Sequence, residues 1–164
     1  MIKQAVILCG GKGSRLGKLT THIPKPLLKV NKKPFIEYQI ENLARHGIKE
    51  IYLICCYKYY LFKKKYHKKK VHNTKIFCFN EKIPLGTGGG LKLIKDKLDQ
   101  TFMVMNGDTI FDINYLDLDK RFNKSNYIGI ATTNKRGSRF GKIGNAESKI
   151  NAGIYIFNKK IFKY

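Results

Sequence analysis

The sequence predicts an α/β protein in which helices cover both faces of a mostly parallel β-sheet. Short apolar runs typical of buried strands alternate with segments that carry apolar residues at helical spacing, and this order is characteristic of parallel sheets. The first of these runs is ended by glycine, at Gly10. The 164 residues suffice for one domain with one core, and no internal repeat or linker divides them.

The first half of the chain predicts three strands and two helices. The strands are short apolar runs at residues 3–9, 50–56 and 75–79. Residues 18–33 predict a long polar loop, after which Pro34 suits the first turn of a helix that Gly47 ends. The lysine-rich residues 57–70 predict an amphipathic basic helix.

The second half predicts two helices and three more strands. The strands are the apolar runs at residues 101–105, 127–132 and 152–157. The glycine cluster at 86–90 opens a helix that carries Leu91, Ile94 and Leu98 at helical spacing, and residues 115–122 predict a short helix.

The composition is strongly basic. The net charge of +22, from 33 Lys and Arg against 11 Asp and Glu, indicates a polyanionic partner such as nucleic acid, anionic lipid or a phosphorylated small molecule. Codon bias is a second explanation, because the chain is rich in Lys, Asn, Ile, Tyr and Phe, which AT-rich codons encode. The composition leaves both explanations open.

Several protein classes are excluded by pattern. No apolar run approaches the roughly 20 residues of a membrane span, and the apolar run at 5–9 is too short for a signal peptide. The four cysteines lie in or beside strand-like runs and form neither a CxxC pair nor a zinc-binding spacing with histidine. We therefore expect a soluble cytoplasmic protein with buried free thiols.

Three predicted strand ends carry residues suited to binding chemistry. They are the glycine- and cation-rich loop at 8–17, the glycine cluster at 85–90, and the Asn-Gly-Asp turn at 106–108. Each alone is also compatible with an ordinary surface turn. In open α/β sheets, ligands bind at the carboxyl ends of the strands, so the coincidence of all three predicts a binding site at that edge.

The opening loop at 8–17 matches neither common phosphate-binding fingerprint. A P-loop is excluded because Gly17-Lys18 is followed by Leu19, and no glycine lies five positions before Gly17. The dinucleotide pattern fails because Leu16 occupies the position of its third glycine. A hydride-transfer enzyme is therefore disfavoured.

The loop instead resembles a signature of the sugar-1-phosphate nucleotidyltransferases. Their usual pattern is GGxGTRL, a short gap and then PKP, and this chain has LCGGKGSRLG at 8–17 followed by PKP at 24–26. Ser14 replaces the family's threonine and keeps the hydroxyl group.

Three further segments resemble motifs of the same family, in the family's order. PLGTGG at 84–89 is similar to its base-binding loop, NGD at 106–108 to its metal-binding turn, and NAGIY at 151–155 to its sugar-contacting strand. The resemblance covers residues 1–157. Among the members, small single-domain enzymes that activate heptose or mannose 1-phosphate with GTP are the most similar.

The resemblance implies a three-layer Rossmann-like fold in which residues 1–164 form a single nucleotidyltransferase domain. It implies that a sugar 1-phosphate and an NTP, with GTP favoured, give an NDP-sugar and pyrophosphate for surface-polysaccharide or lipopolysaccharide precursors. The catalytic residues would be Arg15 at the pyrophosphate end, Lys25 facing the reacting phosphates, and Asp108 as a ligand of Mg²⁺. Homo-oligomerisation is compatible with the resemblance.

The same resemblance assigns contact residues on both substrates. The implied nucleotide-binding residues are Leu8, Gly10, Gly11, Gly13, Ser14, Arg15, Lys25, Gly86, Thr87 and Gly88. The implied sugar-phosphate-binding residues are Asn106, Gly107, Asn151 and Gly153.

The chain departs from the family pattern in its last third. Members are longer and carry a second metal-binding aspartate on a late strand, whereas no acidic residue follows Glu147 here. The loop that usually holds a Glu-Lys pair for the sugar phosphate is short, so Glu147 and Lys149 are not assigned to that role. We therefore expect that part of the family fold is missing, and that this chain binds nucleotide but is a poor catalyst.

The basic stretch at 58–70 supports a different class of function. Its seven lysines are interleaved with aromatic residues, a mixture that binds nucleic acid or a membrane surface. The simpler interpretation, which we favour, is a solvated helix face whose aromatic side packs into the core. The alternatives to an active enzyme are thus a weakened nucleotide-binding remnant and a basic nucleic-acid-binding module.

Overall fold

The computed structural model describes residues 1–110, 113–125, 127–134 and 150–164. The strands of the described part are β1 (Gln4–Leu8), β2 (Lys29–Val30), β3 (Lys33–Pro34), β4 (Glu50–Cys55), β5 (Lys70–Val71), β6 (Thr74–Asn80), β7 (Thr101–Asn106), β8 (Gly129–Asn134) and β9 (Ile150–Asn158). Its α-helices are α1 (Phe35–Arg45), α2 (Tyr59–Tyr66), α3 (Gly86–Lys92) and α4 (Tyr115–Asn123). Short 3₁₀ segments lie at Ser14–Thr20, Lys25–Leu27, Lys95–Lys97 and Lys159–Lys163.

Seven strands of the described residues form one mixed sheet in the order β5-β6-β4-β1-β7-β9-β8. The four central strands β6, β4, β1 and β7 are parallel, whereas β5, β9 and β8 pair antiparallel at the two sides. Leu8 is in register with Ile54 on one side and Asn106 on the other. The segments that follow β1, β4 and β7 therefore leave the sheet at one edge.

Helices pack on both faces of this sheet, as predicted. Strand residues alternate between two apolar clusters: Ile7 packs on one face with α1, α2 and α4, whereas Val6 packs on the other with α3 and the carboxyl-terminal 3₁₀ segment. The cover comes from amphipathic faces, such as the fully buried Ile36, Ile40 and Leu43 of α1. The predicted mostly parallel α/β fold is confirmed.

Three elements differ from the sequence prediction. The predicted loop at 18–33 contains 3₁₀ turns and most of the β2–β3 hairpin. The basic helix spans only Tyr59–Tyr66, because the chain turns back at Lys68, whose φ is 61°, and pairs as β5 with β6. The glycine-rich helix ends at Lys92, because Ile94 adopts a non-helical φ of −118°.

The basic helix α2 is an ordinary amphipathic element. Phe62 and Tyr66 are buried in the core, while Lys63 and Lys64 face solvent and Lys65 pairs with Glu37 at 2.8 Å. This arrangement agrees with the simpler interpretation, a solvated lysine face over a packed aromatic face.

The four thiols are free, and Cys9, Cys55 and Cys78 are buried as expected. Burial, together with the nearby Cys9, raises the pKa of Cys78 to about 12, so its thiolate is not populated near neutral pH. In the part of the chain that the structure describes, no helix is both long enough and apolar enough to cross a membrane.

Candidate active site

A cleft of about 640 Å³ opens at the carboxyl edge of the central strands. Three segments line it: the loop after β1, the 3₁₀ turn that begins at Lys25, and the turn after β7. Nine of the predicted site residues meet there, namely Leu8, Gly11, Gly13, Ser14, Arg15, Lys25, Asn106, Gly107 and Asp108. The structure thus brings together residues that are distant in the sequence.

The loop after β1 is held in one conformation by short contacts. Gly13 has a φ of 67°, and a Cβ there would lie 3.1 Å from the Lys25 Cβ, so a side chain at this position would be strained and crowded. Thr20 Oγ1 donates to the Gly13 carbonyl at 3.0 Å, and Tyr57 Oη donates to the Thr21 carbonyl at 2.6 Å. The backbone that precedes Ser14 and Arg15 is therefore fixed before any ligand binds.

Lys25 and Asp108 face each other across the cleft. Lys25 Nζ lies 2.6 Å from Asp108 Oδ2, and both side chains are a little more than one third exposed. Prolines on both sides of Lys25 restrict the backbone that carries it. An exposed pair of this kind adds at most about 1 kcal/mol to stability, so either partner can be drawn to a ligand at small cost.

The turn after β7 brings Asp108 to the cleft because Gly107 packs against β1. The Gly107 N–H donates to the Leu8 carbonyl at 2.9 Å, and a Cβ at Gly107 would lie only 2.8 Å from that oxygen. Asp108 offers the hard oxygen donors that Mg²⁺ prefers. Within the described residues no three His, Cys, Asp or Glu side chains cluster as a metal site.

A second cavity of about 470 Å³ adjoins the cleft and shares Leu8, Gly11 and Asn106 with it. Gly10, Gly86 and Thr87 also line it, which gathers most of the predicted nucleotide-binding residues around the two spaces. Gly88 lines neither space; it is exposed in the first turn of α3.

Glu81, which the sequence analysis did not select, is a buried carboxylate in this second cavity. It is only 6% exposed, and its Oε1 has no hydrogen-bond partner within the described residues. Glycines make room for it, since a Cβ at Gly10 or Gly90 would lie 2.8 Å from one of its oxygens. Burial and the Glu81 charge raise the pKa of the neighbouring Cys56 thiol. The sequence did contain one indication of a role at the site, because Glu81 lies just after the end of the predicted strand at 75–79.

The two late site residues are placed differently from each other. Gly153, with a φ of 74°, abuts Asn106: a Cβ there would lie 2.6 Å from Asn106 Nδ2. Asn151 is engaged within its own strand, accepting from the Gly153 N–H at 2.8 Å and donating to Tyr155 Oη at 2.6 Å. Glu147 and Lys149 lie outside the described residues.

Residues 4–148 match the family model described as Nucleotidyl transferase. The D-glycero-alpha-D-manno-heptose 1-phosphate guanylyltransferase of Campylobacter jejuni is 38% identical over 172 residues, which cover 97% of this chain and 77% of the relative. The mannose-1-phosphate guanyltransferase of Yarrowia lipolytica is 34% identical over 96% of this chain but only 50% of its own length.

Solved structures agree with these sequence matches. HddC from Yersinia pseudotuberculosis, in complex with GMP-PN, superposes with a TM-score of 0.83 at 28% identity, covering 98% of this chain and 78% of HddC. The inositol-1-phosphate CTP transferase of T. maritima has a TM-score of 0.79 at 18% identity over 99% of this chain and 73% of its own, and shows the shared fold only.

Proposed function

This chain belongs to the nucleotidyl transferase family, and from that premise we propose that it transfers GMP from GTP to a sugar 1-phosphate, giving a GDP-sugar and pyrophosphate. The observation that carries the proposal is the Lys25–Asp108 pair, 2.6 Å apart in a cleft rimmed by the glycine loop and Arg15. The cleft therefore holds a cation and a carboxylate close together, as a reaction between two anionic substrates requires.

The chemistry requires charge neutralisation more than proton transfer. An oxygen of the sugar phosphate attacks the α-phosphorus of GTP, and the bond to the β-phosphate bridging oxygen breaks to release pyrophosphate. The attacking phosphate is already ionised, so no general base is needed. Catalysis of this kind consists mainly of positioning and of stabilising the negative charge that develops on phosphate oxygens.

We assign the two cations of the cleft to opposite ends of the triphosphate. Arg15, which makes no ion pair within the described residues, holds the β- and γ-phosphates as they become pyrophosphate. Lys25 leaves Asp108 and contacts the reacting α-phosphate. Gly11 and Gly13 line the same space, and their backbone N–H groups would stabilise phosphate oxygens in the manner of a backbone anion nest.

Asp108 would hold Mg²⁺, with phosphate oxygens and waters as the other ligands. When bound there, Mg²⁺ would neutralise negative charge on the phosphates. The carboxylate lies in the cleft and its present partner is a cation, Lys25, which supports this assignment. Metal binding at Asp108 and phosphate binding by Lys25 therefore suit each other, because each removes the partner that the other group has now.

The preference for GTP follows from Glu81. Guanine presents two adjacent donors, N1–H and the N2 amino group, and a carboxylate offers two acceptors in matching geometry. The Glu81 Oε1 is buried without a partner in the described residues, beside Gly86 and Thr87 in the second cavity. A buried acceptor of this kind rewards a base that donates to it and penalises one that does not.

The sugar phosphate would bind against Asn106 and Gly107, which line the cleft, and against Gly153, which abuts Asn106, with Asn151 on the same strand as Gly153. A heptose or mannose 1-phosphate is the substrate class we propose, for surface-polysaccharide or lipopolysaccharide precursors. Residues 1–164 would act as one nucleotidyltransferase domain. A cytoplasmic location belongs to the same proposal, since free thiols suit a reducing compartment.

A thermal-shift screen of ATP, GTP, CTP and UTP, each with and without Mg²⁺, tests the nucleotide half of the proposal. We expect GTP with Mg²⁺ to raise the melting temperature most, because ligands stabilise the state that they bind. In Asp108→Asn, the stabilisation by GTP should lose most of its Mg²⁺ dependence. Identical Mg²⁺ titrations of wild type and Asp108→Asn would make Asp108 an ordinary turn residue.

A further inference from the structure

The side chain of Gln39, in α1, makes two hydrogen bonds to the turn that carries Asp108. Gln39 is 2% exposed, and its Nε2 donates to the carbonyl of Asn106 at 2.8 Å and to the carbonyl of Thr109 at 2.6 Å. These carbonyls lie on either side of Gly107 and Asp108 in the chain. Both protons of one amide group are thus used to fix the two ends of the turn.

The chemistry of the contact determines how the amide is oriented. Both backbone neighbours are carbonyl oxygens that can only accept, so the nitrogen of Gln39 faces them and its Oε1 faces away. That Oε1, like the hydroxyl of Thr109, is buried without a hydrogen-bond partner among the described residues. A buried unpartnered acceptor is unfavourable. The orientation that allows the two hydrogen bonds of Gln39 to the turn therefore leaves its Oε1 in an unfavourable position.

The turn has few other restraints. Its own hydrogen bond, from the Thr109 N–H to the Asn106 carbonyl, is long at 3.3 Å. The Gly107 N–H is bonded to β1, and the Asp108 side chain is bonded to the mobile end of Lys25, which our proposed mechanism requires to leave. When Lys25 leaves, the turn is therefore held by the bond of the Gly107 N–H to β1 and by the two bonds from Gln39, and the bonds from Gln39 can be removed by substituting one side chain.

We propose that Gln39 is a positioning residue that fixes Asp108 for metal binding by holding the carbonyls of Asn106 and Thr109. The inference rests on the proposed function, in which Asp108 is the metal ligand. Gln39 does not line the 640 Å³ cleft but a different cavity, together with Thr109 and Ile110, and its hydrogen bonds are to the turn.

Two variants test this role. Gln39→Met removes both donors at similar length, and Gln39→Glu keeps the shape but turns an acceptor toward two carbonyls. Ile40→Val is the matched control, because Ile40 is a fully buried neighbour on the same helix that belongs to the apolar core. For each protein, the melting temperature is measured against Mg²⁺ concentration at fixed GTP, together with GTP stabilisation in EDTA and turnover.

We expect both Gln39 variants to need about tenfold more Mg²⁺ for half-maximal GTP stabilisation and to lose about 10- to 100-fold in turnover, because small displacements of positioned groups have effects of this size. GTP stabilisation in EDTA should stay at the wild-type level, and Ile40→Val should keep the wild-type Mg²⁺ curve at a comparable loss of melting temperature. A Gln39 variant with the wild-type Mg²⁺ curve, or an Ile40→Val protein with the same shift, would overturn the proposal.

A measurement on the wild-type protein covers the case in which the variants do not fold. The side-chain amide protons of Gln39 should exchange with solvent much more slowly than those of the exposed Gln100. Equal exchange rates would contradict the two hydrogen bonds from Gln39 to the turn. Failure of the proposed function is distinguishable. A wild-type protein that binds GTP with Mg²⁺ but turns over no sugar 1-phosphate refutes the reaction, while the Mg²⁺ curves still decide the role of Gln39.

Discussion

Replacement of Lys25 by methionine is expected to lower turnover by about 10²–10³-fold, the usual effect of removing a preorganised group that stabilises transition-state charge. Methionine keeps an unbranched side chain of similar length but removes the cation. The loss should fall mainly on kcat, because Lys25 is bonded to Asp108 in the free protein and is expected to engage phosphate as the reaction proceeds. The measurement is steady-state pyrophosphate release at varied GTP and sugar 1-phosphate.

Lys29→Met is the matched control for this prediction. Lys29 is an exposed lysine of the β2 strand, four residues along the chain, and lines neither cavity of the site. It should keep wild-type kinetics, which separates the role of Lys25 from the general effect of losing one of 33 basic residues. Turnover of Lys25→Met within a few-fold of wild type would remove the lysine from the reaction.

Replacement of Glu81 by glutamine is expected to change the preferred base. Glutamine offers one acceptor and one donor, which no longer match the two donors of guanine but do match the N3–H and carbonyl edge of uracil. A hydrogen bond to a charged group contributes about 1.5–3 kcal/mol, so the ratio of kcat/KM for GTP to that for UTP should fall by about 10- to 10²-fold. The ratio is obtained by competition between the two nucleotides.

Glu37→Gln is the control for the base prediction. The Glu37 carboxylate bonds to Lys65 and Tyr66 on the α2 side of the core, and the Lys65 contacts hold its pKa below the usual range against the opposing effect of burial. Glu37 lines neither cavity of the site, so Glu37→Gln is expected to keep the wild-type preference for GTP. A GTP preference equally unchanged in Glu81→Gln would exclude Glu81 from base recognition.

The fold and the outline of the site were predictable because both follow from local patterns. Short apolar runs predicted the strands, and because the carboxyl ends of parallel strands meet at one edge, residues 8–17, 85–90 and 106–108 were expected to lie together. The predicted helix beyond Lys92 was wrong because apolar spacing at Ile94 and Leu98 serves packing, not helix continuation.

The features that sequence reasoning missed depend on contacts between distant residues. Glu81 is an ordinary acidic residue in the sequence, and its significance comes from burial between Gly10 and Gly90. Gln39 is one polar residue among others in α1, and the helical pattern does not single it out. Its side chain nevertheless contacts a turn 67 residues away. Nothing in the local sequence records such pairings, because they arise only when the sheet brings the segments together.

The most direct test of the central claim is pyrophosphate release by this chain from GTP, ATP, CTP, UTP and dTTP, each with mannose, heptose or glucose 1-phosphate and Mg²⁺. Only one metal-binding carboxylate is assigned, so we expect turnover below the range of about 1–10³ s⁻¹ that is typical of enzymes. The release should nevertheless require a sugar 1-phosphate, be fastest with GTP, and fall to background in Asp108→Asn. Release that is independent of the sugar phosphate, or no release above the Asp108→Asn background with any pair, would contradict the assignment.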